Sequence, residues 1–302
     1  MEVNFLRMGN SIYEQQSSSL CIKCLFAQRA KYNLAKFISG AYLIVCILGV
    51  AAFAAIKSFY HNDLILGLSL GLSFAATFAS DTTFRLVSKL KKEAAQIQNY
   101  FDIMLFSSKD NAKLWHNKLS DNEIYEKVSK YPDHGFSNDD KWYEDFSSQP
   151  KHLQIVYCQK ESLHWDYDLR KKYKICCYGF FGVLIVAIII TAICLELSFI
   201  SFLGICAWAL PFIKYWIEFS KNIKNDEIRV RRLKESIFSH LNMKDALDKE
   251  GWLKRIIEWQ DLIFEHRCKA VMVPNFFYRI FKGQQQSQEH SIAKSINSNE
   301  RT

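Results

Sequence analysis

Four long runs without a charged residue constrain this chain more than any other feature of its sequence. They are residues 37–56, 64–80, 175–195 and 197–213. A helix rises 1.5 Å per residue, so about 20 residues cross a hydrocarbon core of about 30 Å. The runs therefore predict four membrane-spanning helices. Four buried core helices are the alternative, and the absence of charge from every run, with basic clusters beside most of them, weighs against it.

Basic residues flank these runs on one side only. They precede the first run, follow the second, precede the third and follow the fourth. The short connectors carry only Lys57 and Asp63 in the first case and Glu196 in the second. Lys and Arg accumulate on the side of a membrane that is not translocated. Both connectors are therefore predicted to face outside, and both termini to face the cytoplasm. The flanking residues are Lys23, Arg29, Lys31, Lys36, Arg85, Lys89, Lys91, Lys92, Arg170, Lys171, Lys172, Lys174, Lys214, Lys221 and Lys224.

The predicted fold class is an all-α integral membrane protein with two transmembrane hairpins and a mainly helical cytoplasmic domain. A short helix is predicted at 140–146. Apolar stripes predict two amphipathic helices after the fourth run, with Val230, Leu233, Ile237 and Leu241 on the first and Trp252, Ile256, Trp259 and Ile263 on the second. Residues 283–302 contain too little apolar surface to fold, which predicts a disordered tail. The predicted order is a cytoplasmic N-terminal helix (1–36), hairpin 1 (37–80), a cytoplasmic helical region (81–174), hairpin 2 (175–213), cytoplasmic C-terminal helices (214–282) and the tail (283–302).

The helix of the second run is predicted to continue beyond the membrane to Phe106. Two rows of apolar residues, each spaced by seven positions, form a heptad seam there. Such a seam packs against another helix, either in the same chain or in a neighbouring copy, and packing within the chain is the favoured interpretation. The rows are Val87, Ala94 and Phe101, and Leu90, Ile97 and Met104.

No catalytic motif is evident in the sequence. It has no GxGxxG, P-loop, GxSxG or HExxH pattern, so we predict that the chain is not an enzyme. Cys21 and Cys24 form a lone CxxC without a second ligand pair, which predicts no metal site. His164, Asp166 and Asp168 stand beside a basic run, where capping and ion pairing explain them better than catalysis.

The second run carries polar residues at intervals of four, which places them on one face of a helix. Small and hydroxyl residues of this kind let helices approach each other and form hydrogen bonds. The functional alternative is that the stripe lines a water path when several subunits assemble. The candidate pore-lining residues are Ser69, Ser73, Thr77 and Asp81.

Aromatic and cationic residues interleave at three places outside the apolar runs. Aromatic rings and guanidinium groups suit a ligand that carries phosphates and bases. They equally suit a helical cap on a membrane surface, with aromatic rings at the interface and cations on the headgroups. The sequence leaves both interpretations open. The three places are Lys141, Trp142 and Tyr143; Trp165 with Arg170, Lys171 and Lys172; and Trp259, Gln260, Arg267 and Tyr278.

Several segments resemble a known family when they are taken in order along the chain. They are IYEQQSSSLCIKCLFAQRAKYNLAK near the start, IQNYFDIMLF at 97–106, WDYDLRKKY at 165–173, QDLIFEHR at 260–267 and VPNFFY at 273–278. Together they resemble the SMODS-associated four-transmembrane pore-forming effectors. The matching positions are Gln28, Arg29, Phe101, Asp102, Trp165, Asp166, Arg170, Gln260, Asp261, Arg267, Pro274 and Tyr278.

The resemblance implies a role in cyclic-oligonucleotide-based antiphage signalling (CBASS). It implies an effector of the bacterial inner membrane that binds a cyclic di- or oligonucleotide made by a nucleotidyltransferase, forms a homo-oligomer and damages the bilayer in abortive infection. No other cofactor is expected, and no binding of nucleic-acid polymers. The candidate ligand-binding residues are Arg29, Trp165, Arg170, Arg229, Arg232, Arg267 and Tyr278. The alternatives are a non-conducting membrane scaffold that recruits a cytoplasmic protein, with the heptad seam of 87–104 as its docking surface, and, less favoured, a membrane-bound enzyme.

Overall fold

The computed structural model describes residues 11–59, 63–108, 111–133, 141–194, 199–242 and 248–298. Every regular element in these ranges is helical, which confirms the predicted all-α class. A single 3-10 turn (Ala112–Leu114) precedes α4. The helices are α1 (Ile12–Gln15), α2 (Ser19–Phe59), α3 (Asp63–Phe106), α4 (Asp121–Val128), α5 (Lys151–Cys194), α6 (Phe199–Asn242), α7 (Lys249–Lys269) and α8 (Asn275–Ser298).

Four helices of 41 to 44 residues organise the chain. Each contains all or most of one of the predicted membrane runs and continues without a break into a polar segment. The helix α2 packs against α3, and α6 contacts α2, α3 and α5. Of the predicted connector 57–63, the structure describes only residues 57–59, which end α2, and Asp63, which begins α3. Glu196, the predicted connector of hairpin 2, lies outside the described residues.

One segment of the described chain, Ser19–Gly49, is long and apolar enough to cross a membrane. Only 11% of its most apolar window is buried within the protein, whereas the core helix of a soluble domain would be mostly buried. Phe37 and Val45 are 73% and 65% exposed, and Val183 and Ile193 on α5 are exposed to a similar degree. These surfaces suit a lipid environment. The arrangement of four spans stays a prediction.

The polar halves of the helices build one hydrophobic core. Along α3, the heptad seam faces inward, where Ala94, Ile97 and Phe101 are fully buried. Since α3 packs on α2, α6 and α7 of the same chain, the seam is an internal contact, as the favoured interpretation held. The predicted apolar stripes of α6 and α7 also enter the core; they are Val230, Leu233, Ile237, Leu241, Trp252, Ile256, Trp259 and Ile263.

The segment 141–146 is irregular, although the sequence predicted a short helix there. A side chain replaces the helical hydrogen bonds. Gln16 accepts from the backbone N–H groups of Trp142 and Tyr143 at 2.8 and 2.9 Å and donates to the carbonyl of Tyr143 at 2.9 Å. Gln16 is 3% exposed, so these bonds fix the segment against the core.

The predicted disordered tail differs from the structure. The helix α8 continues through Ser298, and only residues 299–302 of the predicted tail lie outside the described part of the chain. Gln285, Glu289 and Ala293 are buried at intervals of four, and Ala293 belongs to the main core. The tail folds because a narrow stripe packs on the rest of the protein, although its overall composition is polar.

Candidate ligand-binding site

A cavity of about 290 Å³ lies where α2, α3, α5, α7 and α8 meet. Helices α2, α3 and α5 continue from it into the predicted membrane segments. The structure brings five of the seven predicted ligand-binding residues together at this cavity, and their binding role stays a prediction. The five are Arg29, Trp165, Arg170, Arg267 and Tyr278.

The other two predicted residues lie elsewhere. Arg232 is exposed on α6 and does not line the cavity. Arg229 is also absent from the lining, and its guanidinium donates to the buried carboxylate of Asp226. Both lie on α6, and no described residue of this helix lines the cavity.

All three places where aromatic and cationic residues interleave contribute to the cavity wall. Trp165 on α5 and Tyr278 on α8 lie side by side, with ring centroids 5.8 Å apart and planes inclined by 34°. Lys141, Trp142 and Tyr143 of the irregular segment also line the cavity. The wall therefore combines aromatic rings with cationic groups, which is a combination that binds nucleobases and phosphates.

Positive charge predominates in the lining. Seven basic side chains face three carboxyl groups. Burial raises the pKa of Glu161 well above its usual range, although the backbone N–H of Glu144 lowers it, so the neutral acid is favoured there. An anionic ligand suits this cavity. The basic residues are Arg29, Lys36, Lys91, Lys141, Arg170, Arg267 and Lys282, and the acidic residues are Glu144, Glu161 and Asp166.

Asp102 anchors one side of the site from beneath. Its carboxylate is fully buried and accepts hydrogen bonds from the hydroxyl of Tyr143 at 2.7 Å and from Nε2 of Gln260 at 2.9 Å. Arg267 donates to the same carboxylate and, at 3.0 Å, to the hydroxyl of Ser162. The guanidinium of Arg267 is thus held in place before any ligand arrives.

The motifs quoted from the sequence meet in this network. Gln260 also donates to the side-chain carbonyl of Asn99 at 3.0 Å, so the segments 97–106 and 260–267 are joined at several points. Asp102 pairs with Arg267 in this network. Asp261 instead accepts from the amide of Asn117 at 3.1 Å. Much of this resemblance is therefore carried by residues that hold the core together.

Arg170 ties three parts of the chain together. Its guanidinium donates to Asp166 at 2.6 Å, to Asp226 on α6 at 3.2 Å and to the carbonyl of Val271. Asp226 is fully buried and also accepts from the backbone N–H of Val271 at 2.6 Å and from Arg229. We call these five residues the Arg170 junction. It joins α5, α6 and the segment between α7 and α8.

The cavity also contains a histidine that the sequence analysis did not single out. His266 is 2% exposed, and its Nε2 lies 2.7 Å from the carboxylate of Asp166. Burial by itself raises the pKa of Asp166, but Arg170 and His266 outweigh burial and hold this pKa far below its usual range. Asp166 is therefore ionised, and Nε2 of His266 carries the proton that it donates. The only sequence signal was its position within the motif 260–267.

Of the predicted pore stripe, the structure describes only the side chain of its last member, Asp81. The side chains of Ser69, Ser73 and Thr77 lie outside the described residues. Asp81 is exposed, and its carboxylate lies 2.7 Å from the amine of Lys214 on α6. The pair joins two helices within one subunit, and the pore-lining role stays a prediction.

The described residues contain no group of three or more His, Cys, Asp or Glu side chains that could hold a metal ion. Cys21 and Cys24 are buried, and burial raises the pKa of Cys21 to about 12. His164 lies between two carboxylates, 3.1 Å from Asp168 and 3.3 Å from Glu289. The Glu289 contact joins α5 to α8. Asp166 pairs with Arg170 of the basic run at 2.6 Å, which is the ion pairing predicted for the cluster.

Comparisons with known proteins identify a family that this chain matches. The sequence profile described as the SMODS-associating 4TM effector domain matches residues 10–296. A protein of Bacillus cereus (strain VD146), described as a "Probable CBASS effector molecule", is 24% identical over 303 residues, which cover 94% of this chain and 96% of that protein. No solved structure matches the chain.

Proposed function

Because the chain belongs to the SMODS-associating 4TM effector family, we propose that it is a CBASS effector that damages the bacterial inner membrane when a cyclic oligonucleotide binds its cytoplasmic cavity. The ligand drives assembly of several copies, and hairpins 1 and 2 form the lesion in the bilayer. The loss of membrane integrity ends phage production together with the host cell.

The observation that carries this proposal is the composition of the cavity. Its lining has an excess of basic side chains and a pair of neighbouring rings, Trp165 and Tyr278. Cations bind phosphates, and aromatic faces stack on bases of any sequence. The cavity volume of about 290 Å³ lies at the lower limit for small-molecule sites, so part of a dinucleotide would extend beyond it. This open part is available to a second subunit.

A ligand in this position can act on the membrane segments because the cavity walls are continuous with them. A ligand shifts an equilibrium only when it binds one state more tightly than the other. A site completed by a neighbouring copy meets that condition, since its full set of contacts exists only in the assembled state.

Dye release from liposomes tests the proposal. Purified full-length protein in vesicles that contain carboxyfluorescein is treated with a panel of cyclic di- and trinucleotides. We expect rapid release with one of them and none with linear nucleotides or oligonucleotides of DNA and RNA. Folded protein that binds a messenger and leaves the vesicles intact would favour the scaffold, and the absence of both binding and release would contradict the proposal.

The docking surface predicted for the scaffold alternative is buried inside the protein. The heptad seam was the surface assigned to a partner, and its residues Ala94, Ile97 and Phe101 are buried inside the same chain. A partner would have to bind elsewhere. The membrane-damaging role therefore stays the stronger proposal.

The stacking wall makes a prediction about affinity. Trp165→Ala removes one of the two neighbouring rings, and a base stacked on an aromatic side chain gains about 1–3 kcal/mol. We expect the activating nucleotide to bind about 5- to 150-fold more weakly, measured by calorimetry in detergent. Tyr125→Ala is the matched control, since Tyr125 is 69% exposed on α4 and does not line the cavity. Equal affinities for both variants would exclude stacking at Trp165.

A further inference from the structure

Two lysines line the cavity close to the predicted membrane segments. Lys36 is the last residue before the first run, and Lys91 lies on α3 beyond the second. The amine of Lys36 donates to the side-chain carbonyl of Asn275 at 2.7 Å. The amine of Lys91 donates to the carbonyls of Lys269 and Ala270 at 3.1 and 3.0 Å. Both are half-buried, and all of these acceptors are neutral.

Neither amine forms a salt bridge with a carboxylate of the described residues. Other cations nearby do so. Lys31 on α2 pairs with Glu93 on α3 at 2.6 Å, and Arg170 and Arg267 are neutralised by Asp166, Asp226 and Asp102. Lys36 and Lys91 are therefore two positive charges of the cavity wall that a bound anion would complement.

Their surroundings disfavour the charged amines. Burial, together with the nearby charge of Arg170, lowers the pKa of Lys36 to about 8. The pKa of Lys91 is likewise lowered to about 8, mainly by burial; Asp226 opposes this shift, and Arg170 and Arg229 add to it. The Cys268 thiol also faces Lys91. An ionised ligand group beside these amines would raise both pKa values and favour their protonation.

We propose that Lys36 and Lys91 form a phosphate-binding subsite of the cavity, through which a bound phosphate contacts α2 and α3 together. If the bound phosphate belongs to the cyclic nucleotide messenger, this inference rests on the proposed function. A lipid headgroup carries the same chemistry, because both helices lead into the predicted membrane. Since α2 and α3 form hairpin 1, a phosphate in this subsite acts directly on the two helices that enter the bilayer first.

The subsite makes binding depend on pH in a defined direction. Below a pH of about 8 both amines are protonated, and a phosphodiester binds two cations. As the pH rises through this value, the free protein loses these protons, and binding must take protons up again. The affinity for a phosphodiester therefore falls between pH 7 and pH 9, because the phosphodiester itself stays ionised throughout.

The test uses the full-length protein in detergent and two probes. The first is the cyclic nucleotide panel, and the second is a short-chain phosphatidylglycerol. Lys36→Gln and Lys91→Gln keep a hydrogen-bond donor but remove the charge. Lys89→Gln is the matched control, since Lys89 is exposed on the same helix as Lys91 and does not line the cavity. We expect each lysine variant, unlike the control, to bind a cyclic nucleotide about tenfold more weakly or worse.

The variant that combines Lys36→Gln with Lys91→Gln gives a result that a structural defect would not produce. It should lose the pH dependence between pH 7 and pH 9 while it remains folded. If only phosphatidylglycerol binding weakens, the subsite binds lipid, and messenger sensing is unaffected. If the wild-type protein binds a nucleotide and both lysine variants bind either probe equally well, the subsite is excluded while the proposed function survives. A wild-type protein that binds neither probe would exclude the subsite as well.

Discussion

Replacing Asp102 by alanine is expected to lower the free energy of unfolding by about 3–5 kcal/mol, since removing one partner of a buried ion pair leaves the other charge uncompensated. Asp102 is fully buried and Arg267 is 10% exposed. The change also deprives Tyr143 and Gln260 of a hydrogen-bond acceptor. Thermal unfolding of the purified protein, followed by intrinsic fluorescence, measures the loss.

A surface pair on α7 provides the control. Arg255 and Glu258 lie 2.8 Å apart and are about half exposed, and such pairs contribute about 0–1 kcal/mol. Arg255→Ala should therefore unfold nearly as the wild type does. Combining Asp102→Ala with Arg267→Met should recover part of the stability, because no charge is left unpaired. A loss for Asp102→Ala as small as that for Arg255→Ala would show that the buried pair is not a determinant of stability.

The second large effect is expected at Asp226. This fully buried carboxylate accepts from Arg170, Arg229 and the backbone N–H of Val271. Asp226→Ala removes the acceptor of two cations and one buried N–H, and we expect a loss of about 3 kcal/mol or more. The response to the messenger should fall as well, because Arg170 then has only Asp166 and the carbonyl of Val271 to orient it. Unfolding and dye release are measured on the same preparation.

The neighbouring residue offers a matched control for Asp226. Glu227 pairs with Lys174 at 2.7 Å, and both side chains are about one-third exposed. Glu227→Ala should cost about 1 kcal/mol or less and leave dye release intact. Asp226→Asn, which still accepts from Val271, should lie between the alanine variant and the wild type. If Glu227→Ala and Asp226→Ala behaved alike, the Arg170 junction would have no special role.

The helices and their buried faces were predictable because they depend on local patterns. A stripe of apolar residues at helical spacing must pack against another part of the protein. The stripes of α3, α6 and α7 enter the core as the pattern indicated. Seven-residue spacing on α3 did not reveal which helix would cover it. That choice depends on the packing of α2, α6 and α7 around α3, which no local pattern encodes.

The types of residue in the site could be predicted from the sequence, but the individual residues and their partners could be predicted only in part. Five predicted residues line one cavity, since they lie in the segments that the family resemblance and the interleaving of aromatic and cationic residues had marked. The partners of these arginines were not evident, because Asp102 and Arg267 lie 165 positions apart. Lys36 and Lys91 were interpreted as charges that fix membrane orientation. That interpretation explains their position along the chain, and only the fold shows that they also face the cavity.

The tail shows where composition fails as a guide. Residues 283–298 are polar on average, yet α8 places Gln285, Glu289 and Ala293 on one buried stripe. Glu289 contacts His164 on α5. A helix that extends from an already folded segment needs few apolar residues, because its nucleation has already taken place.

The unbroken course of α2, α3, α5 and α6 has a mechanical consequence. A helix of 44 residues is a stiff rod about 66 Å long, and a tilt of about 5° at one end displaces the other by about 6 Å. The packed polar halves of these helices act as the pivot. A shift of a fraction of an ångström near the cavity therefore becomes a much larger displacement at the distant ends of the helices. No hinge within the helices is required, because each helix transmits the displacement along its whole length.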